Sequence, residues 1–156
     1  MMADRGQGFE PATGDGGETP SARREAELRT AYEGLLQIRR LVNGPAGAAV
    51  PAPWEVRRLP RAVALVLEAA GFPPSALDAE GRRTRTGYRV AAAGSGPTAG
   101  AERVEVTWVG PPGGGAAGEE RERLTACAAV LEELGWVCLL YRGPRGRRFL
   151  EVEPPH

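Results

Sequence analysis

The side chains that usually run chemistry near neutral pH are scarce in this sequence. Its single histidine is the final residue, His156, and all 20 of its basic side chains are arginine, with no lysine anywhere. The missing lysine removes the usual cation of a phosphate-cradling loop and any Schiff-base nucleophile. The missing internal histidine removes the commonest general acid–base. Ser21, Ser75 and Ser95 stand in turn or cap contexts with no histidine to activate them. Adjacent Glu132 and Glu133 point in different directions on a helix. Glu151 and Glu153 lie two apart on a strand and share a face, but no third ligand is near in sequence. They read as solvated edge charges rather than as an acid–base pair or a metal site.

Two further chemical readings fail on spacing. The glycine loop VGPPGGGAAGEE at 109–120 runs from a strand into a helix, where a phosphate would bind free N–H groups. It has neither a Gly-Lys-Ser/Thr ending nor a compact GxGxxG, and Glu119, Glu120 and Glu122 place negative charge where the anion would go. Cys127 and Cys138 are too few for a disulfide framework or a tetrahedral zinc site, and both have apolar neighbours. They read as buried free thiols. No catalytic residue, cofactor or metal is expected, and the chain reads as a non-enzyme.

Arginine carries the positive signal. It clusters at Arg39-Arg40, at Arg57-Arg58 with Arg61, at Arg82-Arg83-Arg85 with Arg89, and at Arg142, Arg145, Arg147 and Arg148. The last cluster occupies RGPRGRR, a hairpin tip with Tyr141 and Phe149 at its base. Such a basic tip can track phosphates as wing and β-ribbon elements do. Composition argues the other way, because without lysine every ordinary surface cation must be arginine. Charged edge hairpins also discourage sheet-to-sheet association.

These groups have to be held by regular elements, and the elements are legible. SARREAELRTAYEGLLQIRRLVNG (21–44) reads as an amphipathic helix, capped by Thr19-Pro20 and stopped by Asn43-Gly44. Leu28, Ala31, Leu35, Ile38 and Val42 alternate spacings of 3 and 4 along it, the pattern of a packing stripe or a short coiled-coil seam. A Pro/Gly/Ala connector over 44–53 leads to a short turn at Trp54–Leu59. A helix over Pro60–Ala70 follows, apolar nearly all round and therefore buried, ended by Gly71 and Pro73-Pro74. TGYRVAAA (86–93) and ERVEVTWV (102–109) read as strands joined by a long hairpin loop. A helix over 119–135 presents Leu124, Cys127, Ala128, Leu131 and Leu134 on one face, and WVCLLY (136–141) with FLEVE (149–153) closes as a hairpin. The order α-α-β-β-α-β-β predicts an α+β fold, a four-stranded, mainly antiparallel sheet with helices on one face.

Residues 1–18 combine glycine, proline and acid with little to bury, which predicts a disordered tail ahead of a single domain over 19–156. The first 20 residues hold one arginine against Asp4, Glu10, Asp15 and Glu18, so their −3 leaves +3 on the rest of a chain of zero net charge. That balance argues against strong non-specific binding to nucleic acid or anionic membranes. No apolar run reaches the ~18–20 residues of a membrane helix, and the N-terminus lacks the apolar core of a signal peptide. A cytoplasmic location follows by default. One isoleucine, one asparagine, 22 glycines and 14 prolines match the codon usage of a GC-rich, actinomycete-like genome.

The sequence therefore points to a small non-catalytic binding or adaptor protein with a protein partner or a second copy of itself at the first helix. The alternative is a DNA-binding accessory protein that uses the arginine hairpin.

Overall fold

A computed structural model describes residues 9–17, 22–93 and 103–155. The first helix, α1, spans Ala22–Asn43 and runs on into a 3-10 segment at Gly44–Ala49. Pro53–Arg57 (α2) and Leu59–Ala69 (α3) are the expected two-part second helix, each with a proline in its first turn. Gly71, at φ 97°, ends α3 in the left-handed conformation, and the N–H of Phe72 reaches back to the carbonyl of Leu67.

A small antiparallel hairpin follows, Ala76–Leu77 (β1) with Arg83–Arg85 (β2). Gly87–Ala92 (β3), Val104–Val109 (β4), Ala116–Glu133 (α4), Val137–Arg142 (β5) and Arg148–Glu153 (β6) complete the chain. The main sheet is four-stranded and antiparallel throughout, in the order β3-β4-β6-β5. The α+β reading holds, and the order read from sequence matches except that it lacked the β1–β2 hairpin.

One face of the sheet is the core. Tyr88, Val90, Val104, Val106, Trp108, Leu150 and Val152 are buried on it, each alternating with a more exposed neighbour as the strand period requires. Onto them pack α3, buried without a break from Ala62 to Leu67, and α4, through Leu124, Cys127 and Leu131. Each Leu or Val so buried contributes about 1.5–3 kcal/mol. The last helix in this stack is α1, which lies on α3.

The segment 9–17 corrects part of the sequence reading. The expected disorder over 1–18 partly lies outside the described residues, at 1–8 and 18. Residues 9–17 are held against the body of the protein. The carbonyl of Thr13 accepts from Val90 N–H at 2.7 Å, and that of Gly16 accepts from Leu77 N–H at 2.9 Å. Asp15 bridges Arg83 at 2.6 Å and Arg89 at 3.0 Å, and Glu10 pairs with Arg61 at 2.8 Å. Gly14 allows the close approach, since a Cβ there would collide with the Tyr88 carbonyl and the Arg89 backbone. The Thr19-Pro20 cap and the loop at 94–101 also lie outside the described residues. Among those residues, no helix is long and apolar enough to cross a membrane.

Candidate functional site

The stripe read on α1 splits into three environments. Leu28 and Ala31 are half-buried against the core, and Leu35 is fully inside it. Ile38 and Val42 remain 41% and 54% exposed. The buried line continues through Arg39 instead, so Leu28, Tyr32, Leu35 and Arg39 face inward at spacings of 4, 3 and 4. A contact surface using all five predicted residues does not exist, because Leu35 is already occupied by the core.

Arg39 and Glu55 are each 0% exposed and form a two-pronged pair, Nε to Oε2 at 2.8 Å and Nη2 to Oε1 at 2.7 Å. Arg39 Nη1 also donates to the carbonyls of Ala48 at 3.0 Å and Leu134 at 2.6 Å. Glu55 takes the N–H of Ala52 as well, at 3.0 Å. The Arg39 bonds join the end of α1 to α2, the 3-10 segment and the end of α4, and the Ala52 bond closes the start of α2 on its own Glu55. Sequence reasoning grouped Arg39 with Arg40 as surface charge. The 4-3-4 spacing was the signal that could have found it.

Beside Leu35 the surface opens into a groove of about 720 Å³. Its α1 wall carries Ala26, Thr30 and Gly34, one turn apart, with Ala31 and Ile38 alongside. Trp54 of α2, Leu65 of α3 and Phe9 form the opposite wall, and Glu27 and Arg61 supply charge. The small residues make α1 shallow there, and a Cβ placed on Gly34 would meet no heavy atom within 4 Å. The indole N–H of Trp54 is buried and has no hydrogen-bond acceptor among the described residues.

The arginine hairpin is also divided. Arg147 and Arg148 are engaged by Glu120, whose side chain is only 2% exposed. Arg147 Nε donates to Glu120 Oε2 at 2.7 Å, the Arg148 backbone N–H to Oε1 at 2.9 Å, and Arg147 Nη2 to the Trp108 carbonyl at 2.9 Å. Two of the three acids expected to repel a phosphate at the start of α4 are thus engaged within the fold: Glu120 by the hairpin, and Glu119, which accepts from the Trp108 indole at 3.1 Å. Arg142 and Arg145 stay exposed at the tip, with Arg145 in the left-handed region at φ 65°.

The remaining candidates are quickly placed. Glu151 pairs with Arg103 at 3.4 Å on the open face of the sheet. Cys127 is buried and Cys138 half-buried, both free, and burial pushes each thiol up to about 12. Among the described residues no group of three or more metal-ligating side chains comes together.

Comparison with family models, curated proteins and solved structures gave no match. Function has to be argued from this chain's own geometry.

Proposed function

We propose that this protein is a non-catalytic adaptor that takes the apolar face of a partner protein's amphipathic helix into the groove between α1 and α2–α3. The observation that carries this reading is the groove itself, lined by Ala31, Ile38, Trp54 and Leu65 and walled on α1 by the small residues Ala26, Thr30 and Gly34. Helix-in-groove recognition uses such a trough, with side chains spaced 3 and 4 apart entering it and charge at its margins fixing orientation. Glu27 and Arg61 stand at that margin in solvent-facing pairs, with Arg23 at 3.5 Å and Glu10 at 2.8 Å.

Gly34→Leu tests the proposal. Leucine at a helix-interior position removes the glycine penalty of about 1 kcal/mol, so the fold should be at least as stable. The same side chain fills the groove. Helical peptides selected against the wild-type protein by phage display should lose at least tenfold in affinity for the variant, with an unchanged melting curve. Equal affinity for both proteins would place the binding elsewhere.

A second reading, nucleic-acid binding by the hairpin, keeps Arg142 and Arg145 as exposed cations with no acidic partner among the described residues. It is favoured less, because Arg147 and Arg148 already hold a buried carboxylate. Duplex-DNA titration at low and physiological salt separates the two, since phosphate contacts impose a steep salt dependence and an apolar groove does not.

A further inference from the structure

The two edges of the main sheet are treated differently. The outer edge of β3 is closed: Tyr88 exchanges hydrogen bonds with Pro73 and Ser75 at 3.0 and 2.9 Å, and Val90 donates to Thr13. The outer edge of β5 has no neighbouring strand among the described residues. It is also apolar, with Leu139, Leu140 and Tyr141 at 46%, 42% and 42% exposed. A six-residue apolar edge strand is a template for pairing with another chain.

The ladder says which groups are on offer. β5 and β6 pair Val137 with Glu153 through Arg142 with Arg148, and the same register continues to Gly143 and Arg147, where the Gly143 N–H donates to the Arg147 carbonyl at 2.7 Å. Antiparallel pairs alternate between bonded and non-bonded, so Val137, Leu139 and Tyr141 bond inward to β6. Cys138, Leu140 and Arg142 then turn their N–H and C=O groups outward.

We propose that β5 is the interface between two copies of this chain, paired antiparallel about a two-fold axis at Leu140 so that the two sheets become one. In that register Leu140 meets Leu140 of the second copy on the helix-covered face. Leu139 meets Tyr141 of the second copy on the open face, where Tyr141 is already stacked on Phe149 at 5.3 Å. Every central pair is apolar on apolar, the kind that stabilises neighbouring strands. The two Arg142 side chains go to opposite ends, each across from Cys138 of the other copy. Each end of the pairing therefore sets one guanidinium beside a half-buried thiol, with no like charge directly opposite it. The strand's own sequence names its occupant: about Leu140 it sets apolar side chains opposite apolar ones and no like charges face each other.

Sedimentation of the full chain over about a hundredfold concentration range should show a monomer–dimer equilibrium. Leu139→Lys with Leu140→Lys, which charges the edge without touching the buried core, should yield a folded monomer. In a Cys138→Ser background, Leu140→Cys should cross-link to its own symmetry mate under copper–phenanthroline oxidation, because a bonded antiparallel pair has Cα atoms about 5.5 Å apart, within disulfide reach. A wild-type protein that stays monomeric would overturn the proposal. So would a dimer that survives the double lysine variant, which would place the contact on another face. The groove lies on α1, α2 and α3, so either surface can fail without bearing on the other.

Discussion

Arg39 is the residue whose environment departs furthest from its type. An arginine belongs at the surface unless it is paired, and this one is wholly enclosed with Glu55 as its partner. Such a pair is a weak source of net stability when intact, because desolvating both charges offsets their attraction. Breaking it is another matter. Arg39→Met would leave the Glu55 carboxylate buried with the Ala52 N–H as its remaining donor among the described residues. The unfolding free energy should fall by about 3–5 kcal/mol, and Arg39→Met combined with Glu55→Leu should recover a large part of that loss. Denaturant melts of the two singles and the double measure both quantities. A single-variant cost below about 1 kcal/mol would mean that water or rearrangement already satisfies Glu55. Composition hid this pair, because an arginine in a chain without lysine reads as ordinary surface charge. Periodicity did contain it, since Arg39 completes the line from Leu28 through Tyr32 and Leu35.

Between elements, Glu120 does for the hairpin what Arg39 does for the helices. It ties α4 to the start of β6 through Arg147 and the Arg148 backbone, and Arg147 reaches on to the end of β4. Glu120→Ala should cost about 1–3 kcal/mol, the usual loss for hydrogen bonds to a charged group. Amide exchange at Arg148 should accelerate with it, while amides in the middle of β4 keep their protection. Equal acceleration in both places would show that Glu120 supports the whole sheet and not the hairpin. The four strands of the main sheet were legible from runs of β-branched, aromatic and apolar residues, and in β4 from alternation as well, where Val104, Val106 and Trp108 announce their face. The β1–β2 hairpin was not, since two- and three-residue strands are too short to display a period. The arginine tip was located correctly as an element. Which of its charges were already spoken for depends on Glu120, 22 positions before Arg142, and no local pattern reveals such a pairing.

For the molecule as a whole, the element order was readable and the closure of the β3 edge was not. Residues 9–17 bring one large apolar side chain, Phe9, so a composition argument passes over them; the rest of the segment is held by hydrogen bonds and ion pairs that only the folded sheet and α3 supply. One of those bonds belongs to Tyr88, whose hydroxyl donates to the Ala12 carbonyl at 2.7 Å from a fully buried ring. Burial, reinforced by the charge of Glu68, moves this phenol well above its ordinary 10.0. Burial likewise moves Cys127 and Cys138 from 9.0 to about 12, with Cys138 adding to the shift of Cys127 and Glu132 to that of Cys138. All three groups therefore keep their protons in the folded state at a pH where the unfolded chain has lost them. The unfolded state binds fewer protons above about pH 9, so stability must decline as pH rises. Each group adds a slope of about 1.4 kcal/mol per pH unit once its unfolded form is ionised. Urea midpoints should be level near neutrality, begin to fall near pH 9 as the thiols enter, and fall faster above pH 10 as Tyr88 joins them. Cys127→Ala, although less stable throughout, should lower the steepness of that decline by one proton's share. A midpoint that stays level to about pH 11 would mean that these groups ionise as easily inside the fold as outside it, and that neither the core nor the segment over Tyr88 excludes water as the structure describes.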